Sequence, residues 1–420
     1  MAQQNINIGT ADAKQGDTYF DAFTKAEANF TELYAGLQAQ PNNVVVINQE
    51  SDFPTQDATT ITLEADTQYF IGTAFSTAKT FTVENGASMT SINPFSTVVT
   101  YTGIGTMFNA VGVSFEVNNI NISASTGTIF NYTGPGVMFV ADVRVASCAG
   151  MGTATASGPS TSVVVNNSAI LSNSGNGLDF VGAFRLLSIL QLFQIGTSGS
   201  HVGLDLGTAT FENVEMSNLQ FSGPSGSVGL SGAASSANIA TGVIATVDNS
   251  TLNGNAMTSL SGITNSDIRW KFTGNSGIAD TLIDALVSIT GNTTQTAISA
   301  ANTPVKAAAT FVVEDESKYT CDTSGTCTYD GEVDDRPPVG ISITVDVASG
   351  TNKDITAYLA KNGAVITNSG MKTTVNSGRL ESIVILWQEN TSENDFYEIW
   401  VENNTDTTNI IVTDGTLRIR

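Results

Sequence analysis

One recurrence limits what this chain can become. Apolar and polar residues alternate with strand period over residues 115–122, 139–145, 163–171 and 211–219, centred near positions 119, 143, 167 and 215. The intervals are 24, 24 and 48 residues, and the vacant position near 191 falls inside another alternating run, 186–195. Alternation of this kind marks a strand with one buried face. A fixed period of ~20–50 residues marks an array in which each repeat covers the apolar face of the next. No helical periodicity interrupts residues 60–300. Strands repeating at this interval predict an all-β chain built on a right-handed parallel β-helix. An array of all-β sandwiches is the alternative; strands at 8–12-residue spacing would favour it, and part of the region fits that too.

Charge supports the coil reading. In stacked coils every column of side chains repeats each ~4.8 Å, so like charges in one column repel. Residues 80–305 carry 15 charges in 226 positions, against 27 in 115 for residues 306–420. This step, with Thr303-Pro304 on it, predicts a domain boundary. A second boundary lies at Gln40-Pro41-Asn42-Asn43, between a helical pattern and the extended run beginning at Val44. The expected units are therefore 1–42, 43–304 and 305–420. Residues 60–300 would form roughly ten coils and a shaft ~45–50 Å long, whose open ends need covers.

Composition excludes several functions. Lys and Arg number 16 against 39 Asp and Glu, a formal charge of −23. Phosphate contacts need cations, so no nucleic-acid partner is expected. An anionic membrane surface would repel the chain, and the greasiest run, 186–195, is too short to span a bilayer. The polar opening Met1-Ala2-Gln3-Gln4-Asn5 precedes no signal-peptide core, so a soluble protein made in a cytosol is expected. Cys148 needs only packing to explain it. Cys321 and Cys327 could close a small loop, although a reducing cytosol favours free thiols.

The first unit contains a helix pattern starting at Asp17 or Thr18, with apolar positions Phe20, Phe23, Phe30, Leu33, Tyr34 and Leu37. This narrow seam suits a helix lying on its own domain, or a short bundle between identical chains. It is too short to hold an oligomer alone. The last unit alternates cleanly over 335–420, with Asn362-Gly363 as a hairpin turn.

Two stretches carry family resemblances. Residues 357–363 (AYLAKNG) and 394–403 (NDFYEIWVEN) resemble the tumour-necrosis-factor and complement-head type of jelly roll seen at the ends of bacteriophage fibres. That resemblance implies a jelly-roll β-sandwich and a homotrimer, with Phe396, Tyr397 and Trp400 partly facing the axis. Residues 8–34 resemble the opening of many tailed-phage fibre and spike proteins. It implies a structural virion component anchored through its N-terminus to other virion proteins of tail or capsid, with the distal region meeting a host-surface glycan or receptor. A capsid decoration or head fibre, and a polysaccharide-degrading tailspike, are the alternatives.

Sugar cleavage would need paired carboxylates ~5–9.5 Å apart. The shaft offers Glu116, Asp142, Asp179, Asp205, Glu212, Glu215, Asp248 and Asp267. Glu116 and Asp142 lie about one coil apart and are the candidate neighbours; Glu212 and Glu215, three apart, face opposite sides of a strand. The expectation is nonetheless a non-enzymatic protein with no assigned catalytic residue. Arg269-Trp270-Lys271 forms the candidate glycan contact, against a plain reading as an atypical last coil. His201, the sole histidine, reads as a turn residue and permits no zinc triad. No phosphate loop or cofactor motif is present, so no cofactor is expected. Seven carboxylates in 314–316 and 330–335 could hold calcium, but without EF-hand spacing a solvated loop is the default.

Overall fold

The structure, a computed structural model, describes residues 43–420 apart from 92–96, 159, 235 and 265. The heptad seam Phe20, Phe23, Phe30, Leu33, Tyr34 and Leu37 lies outside the described residues.

The recurrence is realised as a parallel β-solenoid with three faces per coil. One face runs from Thr60–Leu63 through Thr80–Val83 and Thr106–Val111 to Leu178–Val181, Val202–Asp205, Val228–Ser231 and Thr258–Ser261. With the later halves of Phe115–Gly134 and Val137–Ala156 it has nine rungs, all parallel. The second face starts at Asn43–Ile47 and ends at Trp270–Thr273. The third starts at Phe75–Thr77 and ends at Thr251–Gly254.

Stacking explains why the strands alternate. On the second face the buried column reads Tyr69, Met89, Val117, Val140, Val165, Ile189, Met216, Val247 and Phe272, each in register with the next. Burying each such side chain is worth roughly 1.5–3 kcal/mol. The corner between the second and third faces repeats just as strictly. Asn119, Asp142, Asn167, Gln191, Asn218 and Asn249 all sit there with φ between 42° and 59°. Asparagine and aspartate tolerate this left-handed conformation better than most residues, because their short polar side chains bond locally. The Asn119 Nδ2 donates to the Ser91 carbonyl at 2.6 Å, and Asn167 donates to Asp142 one coil below. The ladder of polar corners and the scarcity of charge thus share one cause, the vertical repeat.

Residues 284–419 form two antiparallel sheets over one separate core. The first holds Val312–Ser317, Asp284–Ile289, Ile410–Ile419, Pro338–Val347 and Glu381–Gln388 in that order. The second centres on Phe396–Asn403 and Lys353–Lys361. The solenoid core ends at Ile278 and the sandwich core begins at Ala285, ahead of the charge step near 305. Asp284–Ile289 is an interior strand, so it shares the low charge of the coils although it belongs to the sandwich.

Two expectations are corrected here. Cys321 and Cys327 are joined by a disulfide rather than free. They face each other across a hairpin, with Tyr319–Cys321 paired to Cys327–Tyr329, so the register brings the thiols together. Tyr397 is fully buried in the sandwich core, with its hydroxyl against Thr391, and cannot face a trimer axis. Phe396 and Trp400 are half-buried, and Trp400 Nε1 donates to Glu398 at 2.9 Å.

Candidate functional site

The outward side of the first face carries a polar ladder. In register it reads Thr62, Thr82, Asn109, Asn131, Thr153, Asp179, Asp205, Ser231 and Ser261. Like stacks on like where it can: Asn131 donates to Asn109 at 2.7 Å. Asp179 and Asp205 break the pattern by placing two carboxylates on successive rungs. Rungs are ~4.8 Å apart, so the two residues are stacked neighbours in one column.

The two acids have different surroundings. Burial raises the Asp179 carboxyl above the usual carboxylate range, and the Asp205 charge raises it further. Asn176 donates to Asp179 at 3.4 Å, while Asp205 accepts the Gly207 backbone N–H at 3.0 Å. Beside Asp179 lies a groove of about 280 Å³, lined by Asn131, Gly150, Gly152, Thr153, Asn176 and Gly177. A Cβ on Gly177 would overlap the Gly203 carbonyl oxygen, so this wall requires glycine. The one ring lining the groove is Phe130, itself buried in the coil core. The arrangement can hold polar hydroxyls and stacks two carboxylates with unlike surroundings on successive rungs; it lacks an exposed aromatic platform.

The other carboxylates do not converge. Glu116 pairs in register with Phe139 and accepts from Asn118, whereas Asp142 occupies the corner ladder. They are not the neighbours their spacing suggested, because the local coil offset is shorter than their separation. Glu215 lies outward between Ser188 and Thr246; Asp248 pairs with Ser217; Glu212 is exposed in the turn before Val214–Ser217. Asp267 accepts the Thr264 N–H within a loop.

The Arg269-Trp270-Lys271 cluster is also redistributed. Trp270 is fully buried and stacks on Phe272 at 5.7 Å, so it presents no face to a sugar. Strand alternation turned it inward to close the last coil. Arg269 instead reaches the sandwich, donating from Nε to Glu332 at 2.8 Å and from Nη2 to its other oxygen. Only Lys271 is exposed. His201 ends the turn at 198–201, as its sequence context predicts, but its imidazole is buried. Nδ1 donates to the Gly175 carbonyl at 2.7 Å and Nε2 meets Gln194 at 3.0 Å. Burial holds its pKa below the usual value. The acidic stretch 314–335 is dispersed: Glu332 serves Arg269, Asp330 accepts from Thr320, and Glu316 accepts the Cys321 N–H.

Fold and ladder define a three-faced parallel β-solenoid joined to an antiparallel sandwich. No protein-family model and no curated protein matches the chain. Among solved structures it is similar to the crystal structure of the bacteriophage CBA120 tailspike protein 4 enzymatically active domain, at 8% identity and a TM-score of 0.15. The similarity covers 84% of this chain and 63% of that one.

Proposed function

We propose that the chain is a structural virion protein of a tailed bacteriophage, a trimeric fibre or tailspike-like component. Its first forty residues anchor it to tail or capsid, its solenoid is a rigid spacer, and its distal region meets a host-surface glycan or receptor. The observation that carries this reading is the shaft itself: coils in continuous register over one core, closed by a sandwich that clamps the last turns. The fibre resemblances at residues 8–34 and 357–403 supply the virion context.

Trimerisation is assigned to the sandwich, with the jelly-roll resemblance as its precedent. Tyr397 is unavailable, but Glu381–Gln388 is an edge strand whose outward residues Ser382, Val384, Leu386 and Gln388 carry no charge. Val384 is 56% and Leu386 81% exposed. On a chain of charge −23, copies repel one another except across such a face, and an uncovered apolar edge strand invites pairing. Half-buried Phe396 and Trp400 remain candidate contacts. Light scattering is expected to give three times the chain mass for wild type and the chain mass for Leu386→Glu. A monomeric wild type would contradict the trimer, and binding of labelled protein to host cells tests attachment against mere decoration.

A second reading, glycan cleavage, is favoured by Asp179 in the groove wall with Asp205 on the next rung. Asp179, whose carboxyl burial pushes up, would serve as the acid and Asp205 as the second carboxylate. Asp179→Asn is expected to abolish release of reducing sugar from host polysaccharide. It is also expected to stabilise the fold near neutral pH. A carboxyl with a raised folded-state pKa makes stability fall as pH rises from the unfolded value, 3.8, through the folded one. Above that window the wild type carries a penalty that asparagine lacks; below pH 3.8 the two should melt alike. Equal melting at both pH values would contradict this account of Asp179.

A further inference from the structure

The last coils and the sandwich enclose a second cavity, of about 340 Å³. This falls within the ~300–1,000 Å³ usual for small-molecule sites. Ile244 and Ile268 from the solenoid and Tyr329 from the sandwich give it apolar walls. Its charged lining is Lys271 and Lys318 together with Glu332, Asp334 and Asp335, of which Glu332 is already paired with Arg269.

Lys318 is the unusual member. It is 8% exposed, in the turn between Val312–Ser317 and Tyr319–Cys321. Its backbone is fixed at φ 59°, and its carbonyl accepts the Asp330 N–H at 3.0 Å. Among the described residues, eight Lys and Arg side chains have a carboxylate within 4.0 Å, and neither Lys318 nor Lys271 is one of them. Desolvation, and then the nearby Lys271, hold the Lys318 pKa below the usual lysine value; the Asp335 charge, beyond ion-pair distance, opposes them without reversing the shift. A buried ammonium without a carboxylate partner is costly, so this one is built to be completed by something that enters the cavity.

The chemistry of the lining selects the ligand. Two ammonium groups call for an anionic group that can bridge them. The Asp334 and Asp335 carboxylates in the same lining would repel a multiply charged anion and call for hydrogen-bond donors instead. The isoleucines want a C–H surface. We propose that this junction cavity binds a hydroxylated carboxylic acid of about monosaccharide size. Its carboxylate lies between Lys271 and Lys318, its hydroxyls donate to Asp334 and Asp335, and its ring face rests on Ile244 and Ile268. The site is separate from the Asp179–Asp205 ladder and rests on neither reading given above.

Calorimetry and saturation-transfer NMR on the full chain, with glucuronate as the probe, test this. Glucose lacks the carboxylate, cyclohexanecarboxylate lacks the hydroxyls, and inorganic phosphate lacks the ring. Each is expected to bind roughly tenfold or more weakly than glucuronate. Lys271→Gln, at an exposed position, should weaken glucuronate by roughly tenfold or more with unchanged melting. Lys318→Met should weaken it at least as much, and the loss of an unpaired buried charge should leave the protein folded. The proposal is overturned by absence of glucuronate binding at millimolar concentration, by glucose or phosphate binding equally well, or by unchanged affinity in Lys271→Gln.

Discussion

Phe108→Ala is expected to destabilise the shaft by roughly 3–5 kcal/mol. The ring is fully buried between coils, stacked on Phe81 at 5.2 Å and on Phe130 at 5.8 Å. It also meets Phe115 at 5.2 Å. The three stacked phenylalanines occupy one register column, Phe81 to Phe108 to Phe130. A globular core can relax into a vacated space, but here the backbone ladders above and below fix the coil spacing. The cavity therefore stays open, which puts the loss at the upper part of the range for large-to-small changes. Ile104→Ala, at a position 90% exposed, should change stability by no more than about 0.5 kcal/mol. If solenoid unfolding proves irreversible, unfolding rates at a fixed denaturant concentration make the comparison. Equal effects of the two substitutions would contradict a shared aromatic column.

Glu332→Ala is expected to cost roughly 2–3 kcal/mol at neutral pH and to uncouple the sandwich from the shaft. The Glu332 carboxylate takes both Arg269 donors and the Gly242 N–H at 2.7 Å. Arg269 also donates to the Ile239 carbonyl at 2.9 Å and to Thr241 at 3.1 Å. Removing the carboxylate leaves a largely buried guanidinium half-satisfied, and that asymmetry makes the loss large. The Arg269 hydrogen bond holds the Glu332 pKa below its ordinary 4.5. The stabilisation is therefore complete above pH 4.5 and is lost as pH falls through the lower folded-state value. The gap between wild type and Glu332→Gln should close on acidification. Two separated unfolding transitions in the variant, against a coupled one in wild type, would mark the uncoupling; a gap that widened in acid would contradict it.

Much of the architecture was legible because vertical stacking writes itself into the chain. The centres expected near 119, 143 and 167, and the vacant position near 191, fall on Asn119, Val143 beside Asp142, Asn167 and Gln191, at or next to left-handed corners, whereas the centre near 215 lies three residues before its corner at Asn218. The charge-poor stretch told the same story from a different property. What alternation could not give was which way a given residue faces once coil lengths vary. Trp270, next to two cations, reads equally well as surface or as plug, and only the fold turns it inward. Glu116 and Asp142 were separated by a local coil three residues shorter than their spacing, whereas Asp179 and Asp205 match their local offset. The junction cavity was illegible for another reason: Lys271 and Lys318 belong to different units and meet only through tertiary packing. The disulfide was hidden by an argument about compartment, although the hairpin register alone sets Cys321 opposite Cys327.

Paired cysteines read the coil register directly. Thr82 and Asn109 are outward-facing partners on adjacent rungs, and Asn131 stands one rung further along the same column. Adjacent rungs put their Cα atoms ~4.8 Å apart, inside disulfide range, while alternate rungs lie ~9.5 Å apart, outside it. Parallel stacking predicts that Thr82→Cys with Asn109→Cys oxidises to an intramolecular cross-link, and that Thr82→Cys with Asn131→Cys does not. Failure of the first pair to close under mild oxidation, or closure of the second in its place, would contradict the stacked-coil shaft.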